Sequence, residues 1–347
     1  MKGYRLCAWT IFAGMAIACA WLGFGHDRQK KTDESGQTIQ VRVEMVSLPV
    51  VVMTKDGRRV TDLQKEDFQI FEDRVPQEIA GFETTDAPIS VALALDSSGS
   101  MEKRLPRLQD AAIAFVNLLH PDDSVAIMSF ADDVNLLEDF SINRKLNAHG
   151  IKETRAVGGT ALYEAVWLGL EEVLKPIKER NALVLFTDGV DTASRRASAK
   201  ETLNLARETK ASIYCIYYNT LADQHAVPRG PGGIGFPLPI PPPVIVTTGP
   251  PNPIPGTESA EYRAGREYLA DLAAFSGGLL FDALSMDELR PVFAGIAREL
   301  ACQYSIGYYS NNTKRDGKFR SIEVRLRRPG LTARTRKGYY APKAGKD

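Results

Sequence analysis

The chain is poor in the residues on which most catalytic and metal centres depend. It holds 4 cysteines and 4 histidines in 347 residues. Cys7 and Cys19 fall in an apolar N-terminal stretch, which leaves only Cys215 and Cys302 in the body. There is no C-x-x-C pair and no Cys/His cluster, so a zinc or dithiol redox centre is not expected. Cys215 sits in the strand-like run SIYCIYY and reads as a buried packing group. A Cys215–Cys302 disulfide is the alternative if the compartment is oxidising. A charge excess is also missing, because Lys+Arg and Asp+Glu both number 43. Such a chain has no field to draw it to nucleic acid or to an anionic membrane. No G-x-S-x-G occurs, and His26, His120, His149 and His225 have no nucleophile beside them. His120, His149 and His225 are placed in loops or at helix ends. Ser100-Met-Glu-Lys103 fits S-x-x-K and Ser141-Ile-Asn143 fits S-x-N, but no K-T-G follows. No enzymatic activity is therefore expected.

The N-terminus is unlike the rest. MKGYRLCAWTIFAGMAIACAWLGFG has Lys2 and Arg5, then no charge until Asp27. A basic head followed by an apolar body is the pattern of an export signal, and Ala18-Cys19-Ala20 offers a small-residue cleavage site. Two alternatives stay open. Leu6 to Phe24 is long enough to anchor the chain in a bilayer, and Ala16-Ile-Ala-Cys19 is a degenerate lipoprotein box. Residues 1–25 are read as signal or anchor and 26–39 as a linker. The expected location is the periplasm, the envelope or the exterior.

Residues 40–87 read as β structure. VRVEMVSLPVVVM is dense in β-branched residues, and Lys55-Asp-Gly-Arg58 supplies a turn. From Ile89 the rhythm becomes strand–helix alternation. SVALALD, SVAIMSFA, NALVLFT, SIYCIYY and GLLFDAL are apolar strands, separated by segments of helical spacing such as LQDAAIAFVNLL. In TALYEAVWLGLEEVL, Leu162, Val166, Leu170 and Leu174 form one stripe. Continuous apolar strands suit burial on both faces, so residues 88–301 predict a doubly wound, mostly parallel α/β sheet. VNLLEDF reads as a short edge strand. Residues 226–257 are a Pro/Gly-rich loop insertion, and the G-x-G-x-x-G from Gly230 to Gly235 lies within it. Prolines stand where a phosphate-binding helix would open, so that match is accidental. Residues 302–347 return to β structure, and the two β segments are expected to pair into one small sandwich.

Ligands of doubly wound sheets bind at the carboxyl ends of the strands, where the winding reverses. Asp96, Ser98 and Ser100 follow the first strand, Asp188 follows NALVLFT, and Thr160 precedes a helix in AVGGTALY. Two carboxylates and three hydroxyls are hard oxygen donors that suit Mg²⁺. Gly99, Gly158 and Gly159 let the loops turn tightly. A helix cap explains Asp96 or Ser98 alone but not the recurrence of Gly-Gly-Thr and Thr-Asp-Gly at the same sheet edge. Asp132 and Asp133 follow the strand SVAIMSFA, from where the metal face is within reach, but are read as loop residues, and Asp191 is read as a turn residue and not a ligand.

DSSGS resembles the D-x-S-x-S signature of von Willebrand factor type A domains, and GGTAL and FTDG resemble that family's other two motifs. The resemblance spans Pro88 to Leu300. It implies a central sheet of mostly parallel strands with an antiparallel edge. It also implies a metal-ion-dependent adhesion site, with Ser98, Ser100 and Thr160 as direct ligands and Asp96 and Asp188 acting partly through water. The flanks VTDLQKEDFQIFEDRVPQEIAGF, QYSIGYY and PGLTARTRKGYYAP resemble exported bacterial proteins described as von Willebrand factor A-related. The resemblance thus implies an exported binding module that holds Mg²⁺, with Mn²⁺ or Ca²⁺ as substitutes. Its metal would clasp an acidic residue of a protein partner. The alternative is a structural component of an envelope assembly, making metal-independent contacts through the β module and the Pro-rich loop.

Overall fold

SVALALD becomes the centre of the molecule because every residue after Ser90 is buried, on one face of a sheet or the other. The computed structural model describes residues 30–32, 38–40, 45–220 and 260–343. Its contacts divide the chain into two units, Met1–Val43 and Glu44–Asp347. In the first, β1 (Lys30–Thr32) and β2 (Thr38–Gln40) pair antiparallel. The apolar N-terminal segment and the Pro/Gly-rich insertion lie outside the described residues. Among the described residues no helix is long and apolar enough to cross a membrane.

The second unit begins with β3 (Met45–Thr54), β4 (Phe68–Glu72), β5 (Val75–Gln77) and β6 (Ile79–Glu83). The α/β alternation follows: β7 (Ser90–Asp96), α1 (Leu105–Leu118), β8 (Ser124–Phe130), β9 (Val134–Ser141), α2 (Arg144–Glu153) and α3 (Leu162–Leu168). It continues with β10 (Asn181–Thr187), α4 (Ala199–Glu208), β11 (Ser212–Tyr218), α5 (Ala260–Ser276), β12 (Leu280–Ala283) and α6 (Leu289–Leu300). The chain then runs through β13 (Gln303–Tyr309), β14 (Phe319–Leu326), β15 (Leu331–Arg334) and β16 (Gly338–Tyr340).

Six strands form the central sheet in the order β12-β11-β10-β7-β8-β9. All neighbours are parallel except β9, the antiparallel edge spelled by VNLLEDFS. Alternation decides what each face buries. Val91, Leu93 and Leu95 pack with Phe115 of α1 and Phe293 of α6. Ala92 and Ala94 face Leu162 and Val166 of α3 and Leu269 and Leu272 of α5. The stripe Leu162, Val166, Leu170, Leu174 is buried throughout. Its strict four-residue repeat outruns the 3.6-residue α turn, and the helix meets it by widening to π-helical turns over Gly169–Leu174. The helix Arg144–Glu153 is one that the apolar pattern leaves unassigned, since its surface is polar. Asn143 caps it by accepting the Lys145 amide at 3.0 Å. His149 therefore stands exposed within a helix, not in a loop or at a helix end.

The flanking β segments interleave. One antiparallel sheet runs β15-β3-β13-β6 and another β16-β14-β4-β5, each drawing strands from both ends of the unit. They share one core, with Leu48, Val50, Val52, Phe68, Ile70, Tyr304, Ile306 and Tyr308 inside. Buried Glu72 is satisfied there by the hydroxyls of Tyr308, Tyr339 and Ser310 at 2.8, 2.9 and 2.6 Å. Polar clasps tie this sandwich to the α/β part. Arg180 donates to the carbonyls of Thr85, Ala87 and Leu300, and Glu299 at the end of α6 pairs with Arg59 and Arg334. Cys215 and Cys302 are both free thiols, so no disulfide joins them.

Candidate functional site

In chain order the strands run outward from β7 through β8 to β9, then return to β7's other side as β10, β11 and β12. The winding therefore reverses between β7 and β10, and a crevice opens at their carboxyl ends. Asp96 is the last residue of β7, and Asp188 follows β10 directly. A cleft of about 220 Å³ lies there, lined by Ser98, Ser100, Gly158, Gly159, Thr160, Asp188, Val190, Thr192 and Tyr262. Asp96 is not among the lining residues and stands buried behind Ser98, to whose amide it is bonded.

Each side chain is held by its neighbours. Asp96 Oδ1 accepts the Ser98 amide at 3.0 Å, and its Oδ2 accepts the Thr187 hydroxyl at 2.7 Å. The hydroxyls of Ser98 and Ser100 lie 3.1 Å apart. The serine turn is tied to the Gly-Gly-Thr loop by Gly99 N–H to Gly158 O (3.0 Å) and by Val157 N–H to Ser97 O (2.9 Å). Thr160 donates its amide to Thr192 Oγ1 at 2.9 Å, while its carbonyl accepts the amides of Thr192 and Ala193. Asp188 accepts the Val190 amide and the Thr220 hydroxyl, both at 3.1 Å, and Thr220 meets the Tyr262 hydroxyl at 2.7 Å. The residue that reaches back to the serine turn is Arg104, bonded to the Ser100 carbonyl at 2.9 Å.

Electrostatics separate this pair of acids from ordinary surface carboxylates. Asp96 is 1% exposed and Asp188 is 8% exposed. Burial, with the Asp188 charge second, pushes the Asp96 carboxyl up to about 6. Burial also raises the Asp188 carboxyl. Amides and hydroxyls oppose the rise at both acids: the Ser98 amide with the Ser98 and Thr187 hydroxyls at Asp96, and the Val190 amide with the Thr220 and Tyr262 hydroxyls at Asp188. Two desolvated negative charges beside three hydroxyls match a hard divalent cation, which would neutralise both. Asp96, Ser98, Ser100, Thr160 and Asp188 are the residues that would hold it. Among the described residues no cluster of three or more His, Cys, Asp or Glu side chains is placed to hold a metal. The donor set here is accordingly mixed, with hydroxyls making up the majority.

Sequence reasoning overlooked the groups behind the ligand positions. Thr187 had a signal, standing next to Asp188 in FTDG, while Thr192 and Thr220 look like ordinary loop hydroxyls. Tyr262 comes from the far side of the insertion, and no local pattern points to it. Asp132, read as a plain loop residue, accepts the Gly159 amide at 2.7 Å. Asp191 accepts the Tyr163 amide at the start of α3, and Glu164 there accepts the amides of Arg195 and Arg196. The loop after Asp188 is thereby stitched to α3.

This is a doubly wound α/β domain with a polar, two-carboxylate crevice at its switch point. Residues 91–190 match the von Willebrand factor type A domain family. An uncharacterized protein of Synechocystis sp., sll0103, is 32% identical over 133 residues, which are 37% of this chain and 32% of the relative. The chain thus spans about a third of the length of that relative. Among solved structures, the conserved hypothetical protein BatB from Bacteroides thetaiotaomicron is 17% identical with a TM-score of 0.41, covering 61% of this chain and 98% of its own. The vWF domain of the type V pili tip protein Mfa5 from Porphyromonas gingivalis is 12% identical with a TM-score of 0.44, covering 61% and 94%. Proximal thread matrix protein 1 from the mussel byssus, with a zinc-occupied MIDAS motif, is 18% identical with a TM-score of 0.43, covering 65% and 48%.

Proposed function

We propose that the protein is an exported, metal-dependent binding module whose Asp96, Ser98, Ser100, Thr160 and Asp188 hold Mg²⁺, or Mn²⁺ or Ca²⁺ in its place. The module captures an acidic residue of a protein partner. The observation that carries this reading is the pair of buried carboxylates at the switch-point cleft, flanked by three hydroxyls. When bound, the ion supplies a positive centre with coordination positions left for a carboxylate from outside. The chain's own part is to orient the donors. Thr187 and the Ser98 amide aim Asp96, Thr220 and Val190 aim Asp188, and Thr192 holds the loop of Thr160. The von Willebrand factor type A match supports a binding role, and the export pattern of residues 1–25 supports a location outside the cytoplasm. The reading is of binding without a catalytic step.

Calorimetric titration of the full chain with Mg²⁺ and Mn²⁺ tests the site. Saturable binding is expected in the wild type and its loss in Asp96→Ala and Ser98→Ala; unchanged affinity in both variants would refute it. A crosslinking pull-down from envelope fractions, with and without EDTA, tests the partner claim. Partners that persist in EDTA would favour the second reading, an envelope component with metal-independent contacts. One observation favours that reading: Phe319 and Tyr340 form an exposed edge-to-face pair on the sandwich, with ring centres 5.4 Å apart.

A further inference from the structure

We propose that Asp132 is a positioning residue for the cleft: by accepting the Gly159 amide it sets the Gly158–Gly159 turn that presents Thr160, so metal affinity depends on a carboxylate that is not itself a ligand. This rests on the metal-binding reading above. Asp132 stands exposed in the connection between β8 and β9, an element that contributes none of the five proposed ligands. Two bonds run from this connection into the Gly-Gly-Thr loop. Gly159 N–H donates to Asp132 Oδ1 at 2.7 Å, a short charge-assisted contact, and Ala161 N–H donates to Ala131 O at 2.6 Å. They bracket Thr160 on either side.

The two glycines explain themselves in the same terms. Gly158 has φ +58, and a Cβ built on it would collide with the Asp132 carboxylate. A Cβ on Gly159 would lie 2.8 Å from Thr192 Oγ1 and 3.0 Å from Asp132 Oδ1. Gly158 is thus glycine for its positive φ and for the Asp132 carboxylate beside it, and Gly159 for the crowding by Thr192 first and Asp132 second. Glycine has the widest conformational freedom of any residue. Without Asp132 the turn samples other conformations, and binding must supply the ordering that Asp132 now provides in advance. Thr192 holds the far side by accepting the Thr160 amide, and the bonds of Gly158 O and Val157 N–H to the serine turn anchor the near side, so Asp132 is the side chain that fixes the Gly159 peptide between them.

The test is Mn²⁺ titration of the full chain, by calorimetry and electron paramagnetic resonance, in wild type, Asp132→Ala, Asp132→Asn and Asp96→Ala. Asp132→Ala is expected to weaken binding about tenfold, the effect of losing one hydrogen bond to a charged group. Asp132→Asn keeps an acceptor oxygen without the charge and is expected to lose clearly less than Asp132→Ala. Equal losses in Ala and Asn would assign the effect to charge, and no loss in Ala would remove it; either overturns the proposal. A wild type indistinguishable from Asp96→Ala would sink the metal reading and this proposal with it. Hydrogen exchange of the Gly159 amide checks the contact in the absence of metal. Protection should fall in Ala and return in Asn, and protection unchanged in Ala would also overturn the proposal.

Discussion

Gly189 and Gly265 meet backbone to backbone, so closely that a Cβ built on Gly189 would lie 2.8 Å from the Gly265 carbonyl carbon. Gly189 also has φ +80, which excludes most other residues on conformational grounds. The contact presses α5 onto the turn that follows Asp188 and brings Tyr262, one turn earlier, to the rim of the cleft. Gly265→Ala forces backbone against backbone and should destabilise the fold by about 1–3 kcal/mol, the usual range for overpacking. Because Tyr262 bonds Thr220, and Thr220 bonds Asp188, Mg²⁺ binding should weaken with it. Urea denaturation and calorimetry read the two effects; an unchanged midpoint would deny the close approach.

Asp96 has a pH dependence of definite sign. Burial and the Asp188 charge lift its carboxyl from the usual 3.8 to about 6. Between those values the folded chain binds more protons than the unfolded chain. The stability of metal-free protein therefore falls as pH rises through this window and levels off above it. Asp96→Asn removes the titration. In EDTA, the melting temperature of wild type relative to Asp96→Asn should decline from about pH 4 to about pH 6.5 and then flatten. A relative rise over the same range would mean that the carboxylate, not the acid, is the form the fold prefers.

Glu299 is a buried charge with partners on two strand segments of the sandwich. Its side chain is 2% exposed, against 32% for Arg59 and 21% for Arg334. Removing the acid leaves two partly wetted arginines facing each other at the junction. Glu299→Ala should cost about 3 kcal/mol, the low end for breaking a buried pair because solvent reaches both partners. Chemical denaturation measures it. A loss below roughly 1 kcal/mol would make the junction no stronger than a surface ion pair.

The two body cysteines should report unfolding in order. Cys215 is fully buried and its thiol is pushed well up by desolvation, while Cys302 is half-buried and raised by the same cause. Since the thiolate is the reactive form, maleimide should label Cys302 slowly in the native state and Cys215 only as denaturant unfolds the sheet. Peptide mapping by mass spectrometry distinguishes them, and early labelling of Cys215 would show that β11 opens locally.

Much of this was legible along the chain. SVALALD and NALVLFT announce strands buried on two faces, and their abrupt endings in Asp96 and Thr187-Asp188 mark the loops that reach the crevice. Helix Arg144–Glu153 was not legible, because its polar sequence carries little apolar period and buried Asn147 is held by the Val125 carbonyl. Asp132 and Tyr262 were opaque for another reason: their partners, Gly159 and Thr220, stand 27 and 42 residues away.

By itself the sequence determined the order of the apolar strands and amphipathic helices, the faces each strand buries and the residue types available at the strand ends, since these depend on local periodicity and turn chemistry. Only the tertiary structure decided which hydroxyl aims which carboxylate, that the Asp132 carboxylate lies where a Gly158 side chain would go, and in what order strands from the two ends interleave in the sandwich. Those outcomes depend on contacts between segments far apart in the chain, and a local pattern holds no record of them.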